Sequence, residues 1–524
     1  MKRIIYSSVS ALALLAAAPA FADPGSNVSN VTQSGTDSSA TIDQVGTNDT
    51  SNVTQSNANN TASVTQNGII GGQSDITQSG ADNSATLHQS DDGSAFPGGQ
   101  ASYPPGGTYA PGAKPISVST ITQGGNGNTA DVTQKTATSA LANTSGVYQA
   151  GNSNGATVSQ SDDFQTSTVS QDGSGNTANV AQGIDNGSDN SYANSSSVAQ
   201  GGDSNGATVI QTGLSGSSSV NQSGSNNGAL VVQHDGQLLG SWVDQSGTNG
   251  NADVDQQGNT MTSIVDQRGD NNDAIVRQAG SNSSSTITQL QNNNAARVSQ
   301  SGDTNTSTVY QDVASGSAAY TSSELGEAVL NDPNATGYAV VQQTGDHLNS
   351  AVTSTGASNF AFVQQVGSDN HSNVAQSGNG NAAFVEQAGS GNYSNFTQTG
   401  TLTNLSTSEF PSSGDNSIAD AQGVHQTGSD NLSTIYQSGS STQFGVTNMV
   451  DVLQSGDFNQ SYVDQGGVDN MADIDQTGNS NISNLWQAGS NNSTTVLQSS
   501  DSNLSNVNQS GSGNTATVTQ GGGD

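Results

Sequence analysis

The chain contains no cysteine, so no disulfide can brace it, and no thiolate can bind a metal or act as a nucleophile. Cations are scarce: 7 Lys+Arg stand against 42 Asp+Glu, for a net charge of −35. Beyond Lys2 and Arg3 they are Lys114, Lys135, Arg268, Arg277 and Arg297. Such a polyanion repels nucleic acid and anionic membrane, so neither is expected as a partner. The one long apolar run, Ile4 to Ala18, is too short to span a bilayer, which argues against membrane insertion. Lys2 and Arg3 precede it and Ala20-Phe21-Ala22 follows it, the pattern of a secretory signal over residues 1–22 with the mature chain starting at Asp23. The five histidines, His88, His234, His347, His371 and His425, fit no metal spacing and no Ser/His/Asp set. No catalytic, cofactor-binding or metal-ligating residue emerges, and the chain is not expected to be an enzyme. Hydrophobic residues make up only 30% and charged residues only 9%, a composition that by itself suggests disorder.

What is present overrules that suggestion. Glutamine returns with a stride of 11 through Gln33, Gln44, Gln55 and Gln66. The stride resumes over Gln245, Gln256, Gln267, Gln278, Gln289, Gln300 and Gln311, and again from Gln454 to Gln520. A fixed period of this kind marks a stacked repeat. A disordered linker has no reason to place Val two residues before Gln again and again.

The best-formed units are Asn128-Thr-Ala130-Asp-Val132-Thr-Gln134, Asn176-Thr-Ala178-Asn-Val180-Ala-Gln182 and Asn514-Thr-Ala516-Thr-Val518-Thr-Gln520. Asn, Ala, Val and Gln are spaced by two, so in a strand they share one face while Thr, Ser, Asp and Asn take the other. Glycine follows two residues after many of the glutamines, as at Gly35, Gly224, Gly247, Gly269, Gly280, Gly302, Gly367, Gly389 and Gly511, where a positive φ for the reversal is expected. None of the 9 prolines falls inside a regular unit, as expected of strands hydrogen-bonded on both sides.

Failures of the stride report on pairing. The early ones, after Gln66, Gln89, Gln134, Gln182 and Gln233, all follow even-numbered units counted from Gln33. This suggests a coil of two units, about 22 residues, with one tolerant edge and one strict edge. The later ones follow Gln311, Gln398 and Gln437, which count as odd unless a degenerate unit lies near Ser322. The expected fold is an all-β solenoid of strand-turn-strand coils with amyloid-like cross-β stacking, each coil adding about 4.8 Å. Gln is expected to stack on Gln and Asn on Asn. The candidate ladder comprises Gln123, Asn128, Gln134, Gln171, Asn176, Gln182, Gln245, Gln256, Gln267, Gln278, Gln289, Gln300, Gln509, Asn514 and Gln520. Repeats are expected over 23–89, 116–311, 338–398 and 424–524, with insertions at 90–115, 312–337 and 399–423. Only Gly-Gly-Gly-Asp follows Gln520, so no cap is expected there.

Three outward acids, Asp244, Asp255 and Asp266, each precede a ladder Gln and are candidate gatekeepers against premature aggregation. Two units per coil place Asp244 over Asp266, a like-charge pair, and Asp255 under Arg277, an opposite-charge pair. Trp242, Trp486, Tyr148, Tyr310 and Tyr436 share the outward parity.

The repeat resembles that of the curlin family, S-x5-Q-x-G-x-G-N-x-A-x3-Q. Ser117, Gln123, Gly125, Gly127, Asn128, Ala130 and Gln134 match at every position of that motif. Gln171 to Gln182 and Gln509 to Gln520 match apart from the leading serine, where Gln165 and Asn503 stand. The resemblance implies a subunit that crosses an outer-membrane curli secretion channel unfolded and is nucleated at the cell surface by a nucleator subunit. It implies stacking with copies of itself into extracellular amyloid fibres for biofilm matrix, adhesion and surface attachment. The chain departs from the usual pattern in its many repeats, its long insertions and its short leader. Other readings are a non-amyloid β-solenoid adhesin and a calcium-binding repeat of the G-G-x-G-x-D kind, whose nearest approach here, Gly124-Gly125-Asn-Gly127-Asn, has Thr129 where Asp is needed. An ice-binding Thr ladder is interrupted by Ser, Asp and Asn.

Overall fold

A computed structural model describes residues 27–91, 117–136, 142–183, 193–313, 337–401, 423–440 and 448–521. The expected signal segment, all the prolines and Ser322 lie outside these residues, as does most of each long insertion. Among the described residues every regular element is a β-strand, numbered β1 to β38 in chain order. They fall into two compact units, residues 1–215 and 216–524. The first holds β1 (Val28–Gln33) through β14 (Gly206–Gln211), and the second β15 (Ser217–Gln222) through β38 (Thr515–Gln520).

Both units are built alike. Within each unit a strand pairs in parallel with the strand two further along the chain, never with its immediate neighbour in sequence. The odd-numbered strands of a unit therefore form one sheet and its even-numbered strands the other, and two strands make one coil. Within the second unit, β18 (Asn251–Asn259) lies against β20 (Asp273–Ser281) with Val254 opposite Val276 and Gln256 opposite Gln278, a shift of two glutamine strides. The fold is a parallel β-solenoid. Period-2 alternation drives it: in β19 (Thr262–Gln267) the side chains of Ser263, Val265 and Gln267 are buried, and Thr262 and Ile264 point out. The central apolar column is Val53, Ile76, Ile121, Val147 and Val169 in one sheet of the first unit, and Val243, Val265, Ile287 and Val309 in the corresponding sheet of the second. Each contributes about 1.5–3 kcal/mol on burial. One coil buries little, so stability accumulates through nearest-neighbour stacking.

The two sheets differ at the position four residues before Gln. The odd strands carry serine there, as at Ser119, Ser145, Ser167, Ser241, Ser263 and Ser285, whereas the even strands carry mostly alanine, as at Ala130, Ala156, Ala178, Ala252 and Ala274.

Two expectations are corrected. First, positive φ two residues after Gln occurs at Gly280, Gly302, Gly367, Gly389 and Gly511, but not at Gly35, Gly224, Gly247 or Gly269. In the latter arcs the left-handed residue is two positions later, as at Asn249 (φ 56°) and Asn271 (φ 55°), which tolerate it. Gly247 is needed instead for close approach, because a Cβ there would sit 1.8 Å from the Gly269 carbonyl oxygen on the next rung. Second, the strict edge does not hold. β22 (Asn294–Asp303) pairs directly with β24 (Gly337–Asp346), and β23 (Thr306–Val313) with β25 (Asn349–Ala357). No rung is left open between them for a unit at Ser322. The insertions after Gln311, Gln398 and Gln437 thus leave from odd strands, whereas the early ones leave from even strands, and both edges of the coil accept extra residues.

Candidate functional site: the amide ladders

Each coil contributes one inward Gln per sheet, and the glutamines stack within hydrogen-bonding distance. In the first unit Gln123 Nε2 donates to Gln149 Oε1 at 2.8 Å, Gln134 to Gln160 at 2.8 Å, Gln171 to Gln200 at 2.9 Å and Gln182 to Gln211 at 2.8 Å. In the second, Gln245 donates to Gln267 at 2.8 Å, Gln256 to Gln278 at 2.9 Å, Gln267 to Gln289 at 2.9 Å, Gln278 to Gln300 at 2.8 Å and Gln289 to Gln311 at 2.9 Å. Gln300 bridges an insertion to reach Gln343 at 2.8 Å. Gln509 and Gln520 accept from Gln487 and Gln498 at 2.9 and 2.7 Å. Every bond of the series runs from the lower-numbered residue to the higher. The second Nε2 hydrogen closes the coil: Gln256 donates it to the Gly240 carbonyl of the facing sheet at 3.0 Å. The row satisfies a buried amide on both sides of each rung, where an unpaired one costs about 1–3 kcal/mol.

Asparagine stacks with different bonds. Asn128 Oδ1 accepts the backbone N–H of Asn154, and Asn176 Oδ1 that of Asn205, each at 2.9 Å. Their Nδ2 groups hold the turns: Asn128 donates to the carbonyls of Gly124 and Gly151, and Asn176 to that of Gly202. Near the end of the second unit side-chain bonds join in, with Asn514 Nδ2 donating to Asn492 Oδ1 at 2.9 Å.

One rung breaks the Gln row. Ser354 lies in register between Gln311 and Gln376. Its hydroxyl is buried with no hydrogen-bond partner, and so is Gln376 Oε1.

The three outward acids each have company. Asp244 is in register with Asp266, and burial first, then the Asp266 charge, pushes its carboxyl above the usual range. Arg268 pairs with Asp266 at 2.7 Å. Asp255 is in register with Arg277, but the guanidinium turns to Asp253 and keeps its Nε 3.9 Å from Asp255. The closer partner of Asp255 is His234 Nε2, at 3.0 Å.

A protein-family model described as the curlin associated repeat matches residues 262–290, 448–478, 467–499 and 489–522. The chain carries curlin associated repeats over these residues. The matched repeats all lie in the second unit and begin and end near ladder glutamines, from Gln267 and Gln289 to Gln498 and Gln520. No curated protein matches the chain in sequence.

Sequence reasoning missed two features of this site. The serine column was available as a simple alternation of Ser and Ala four residues before Gln. Of the aromatic row, Tyr436 and Trp486 were legible as outward residues, but Tyr462 and the contacts among the three rings were not, because the rings stand on adjacent rungs at uneven spacings in sequence, off the glutamine period.

Proposed function

We propose that this chain is a secreted structural subunit that polymerises into curli-type amyloid fibres outside the cell, serving matrix formation, adhesion and surface attachment. The observation that carries this is the complementarity of the first and last described rungs. Every residue of β1 is exposed, with Val28 at 44% and Val31 at 43%, while Val53 one rung on is at 1%. β1 reads Val-Ser-Asn-Val-Thr-Gln, and β37 (Leu504–Ser512) opens Leu-Ser-Asn-Val-Asn-Gln. Set in the register of the solenoid, Ser505 meets Ser29, Val507 meets Val31 and Gln509 meets Gln33. In the companion sheet, Ala516 of β38 meets Ala40 and Gln520 meets Gln44 of β2 (Ser39–Thr47).

The ladder supports the same stacking. Gln33 donates to Gln55, and its own Oε1 has no partner among the described residues. Gln509 commits one Nε2 hydrogen to the Ser493 carbonyl and keeps the other. A donor row therefore faces an acceptor row when the last rung of one molecule meets the first rung of the next. Open parallel edges of this kind are templates for pairing. The partners that follow are other copies of the chain, a nucleator subunit and an outer-membrane secretion channel that passes the chain unfolded. A scaffold role, with no catalysis, fits the repeat family.

Purified chain from Asp23 onward should bind thioflavin-type dyes, diffract at the strand spacing, and elongate on sonicated seeds in proportion to monomer concentration. Val31→Lys, which places a charge on the exposed edge, should stop elongation at that edge. A wild-type chain that stays monomeric for days at high concentration would overturn the proposal.

A further inference from the structure

On the second unit, β31 (Leu432–Ser440), β33 (Gln460–Val468) and β35 (Ile482–Ser490) are consecutive strands of one sheet. Their outward faces carry three aromatic rings in a row. The centroids of Tyr436 and Tyr462 are 6.0 Å apart, and those of Tyr462 and Trp486 5.6 Å. Tyr436 and Trp486 are each 39% exposed. Asp464 lies in register between Tyr436 and Trp486, and Asn484 lies beside Tyr462 and donates to Asn506 at 2.9 Å. The result is an exposed aromatic strip edged by a carboxylate, amides and phenol hydroxyls.

We propose that this strip binds a single chain of a neutral β-linked glucan. Sugar rings of that class present C–H groups on their faces and hydroxyls at their rims. The faces suit aromatic rings, and the rims suit the hydrogen-bonding groups of Asp464, Asn484 and Asn508, the last in register with Trp486. Rungs repeat at about 4.8 Å, close to the advance of one sugar along an extended glucan, so successive rings meet successive sugars. Charge selects the partner. At a net −35 the chain repels an anionic glycan, but not a neutral polymer. Shape selects the form, because the rings tilt by 53° and 46° from one to the next. A strip twisted in this way follows an isolated chain better than the flat face of a crystal.

The chain has two tryptophans, Trp242 and Trp486, so Trp242→Phe leaves fluorescence from Trp486 alone. Titration of freshly purified, unassembled Trp242→Phe chain with cellohexaose should shift and quench that emission. A triple variant, Tyr436→Ala, Tyr462→Ala and Trp486→Ala, should weaken binding of cellohexaose by calorimetry at least ten-fold, with the circular dichroism unchanged. Trp242→Ala, 56% exposed but outside the row, should bind as the parent does. The inference fails if the parent does not bind cellohexaose, or if the triple variant binds it equally well. It also fails if the triple variant loses only lateral bundling of fibres, since the strip would then be a contact between copies. None of these binding readouts depends on fibre formation.

Discussion

Gln256 passes a hydrogen bond from its Nε2 to the Oε1 of Gln278, 2.9 Å away and one coil further on. It also accepts from Gln233 at 2.9 Å and donates to the Gly240 carbonyl at 3.0 Å. Gln256→Leu deletes all three bonds while leaving an apolar group of similar size. Leaving three buried partners unpaired, at about 1–3 kcal/mol each, predicts a loss of about 3–9 kcal/mol. Gln257→Leu, exposed on the same strand, should stay within about 0.5 kcal/mol. Urea unfolding of the two variants measures the difference.

Ser354 interrupts the same kind of row and offers the converse experiment. Ser354→Gln restores a residue that can accept from Gln311 and donate to the orphaned Oε1 of Gln376. A gain of about 1–3 kcal/mol is expected. An unchanged or lowered unfolding midpoint would mean that this rung cannot seat a glutamine.

The serine column makes a third prediction with the opposite sense to intuition about polar groups. Ser263 is fully buried and its hydroxyl has no hydrogen-bond partner. Ser263→Ala removes an unsatisfied donor and copies what the facing sheet already has at Ala252 and Ala274. It should stabilise by about 1 kcal/mol, read as a raised unfolding midpoint.

Much of this architecture was legible in the chain itself. The inward Asn, Ala, Val and Gln positions follow from period-2 spacing, and the two-unit coil from the parity of the early insertions. The glutamines were legible as a column for the same reason. What their amides and those of asparagine bond to was not, because residue spacing says nothing about whether a side chain meets another side chain or a turn carbonyl. The later insertions misled because either edge of a coil is solvent-facing and accepts extra residues without breaking a ladder. Arg277 illustrates a further limit: register places it opposite Asp255, but its long side chain has the reach to choose Asp253 instead.

Acidity should stabilise the second unit through Asp451. Burial, with Asp473 and Asp475 nearby and His425 opposing, raises its carboxyl from 3.8 to about 6. Asp451 stands in register with Asp473, and burial raises Asp473 and Asp475 as well. Between these two values the folded state holds a proton that the unfolded chain releases, so stability is greatest below the unfolded value and is lost as pH rises through about 6. Asp451→Asn should flatten the fall in unfolding midpoint between pH 4 and pH 7. An identical slope in the variant would assign the effect to other groups.

Asp244 and Asp266 face each other along the stack, and Arg268 neutralises only the latter by direct pairing. Asp244→Asn removes the uncompensated like charge. If the outward acids restrain assembly, seeded elongation should quicken by up to about five-fold, the kinetic equivalent of roughly 0.2–1 kcal/mol. Equal rates at low and high salt for parent and variant would remove the gatekeeper role.

The register shift of one coil between paired strands also sets how the chain acquires its structure. No strand waits for a distant end of the sequence, since its partner is the next coil, and an insertion adds only a logarithmic penalty to that closure. Contacts of short sequence separation form fast, even in a parallel sheet. A chain delivered end first can therefore fold in the order of its arrival, each new coil crystallising on the one just finished.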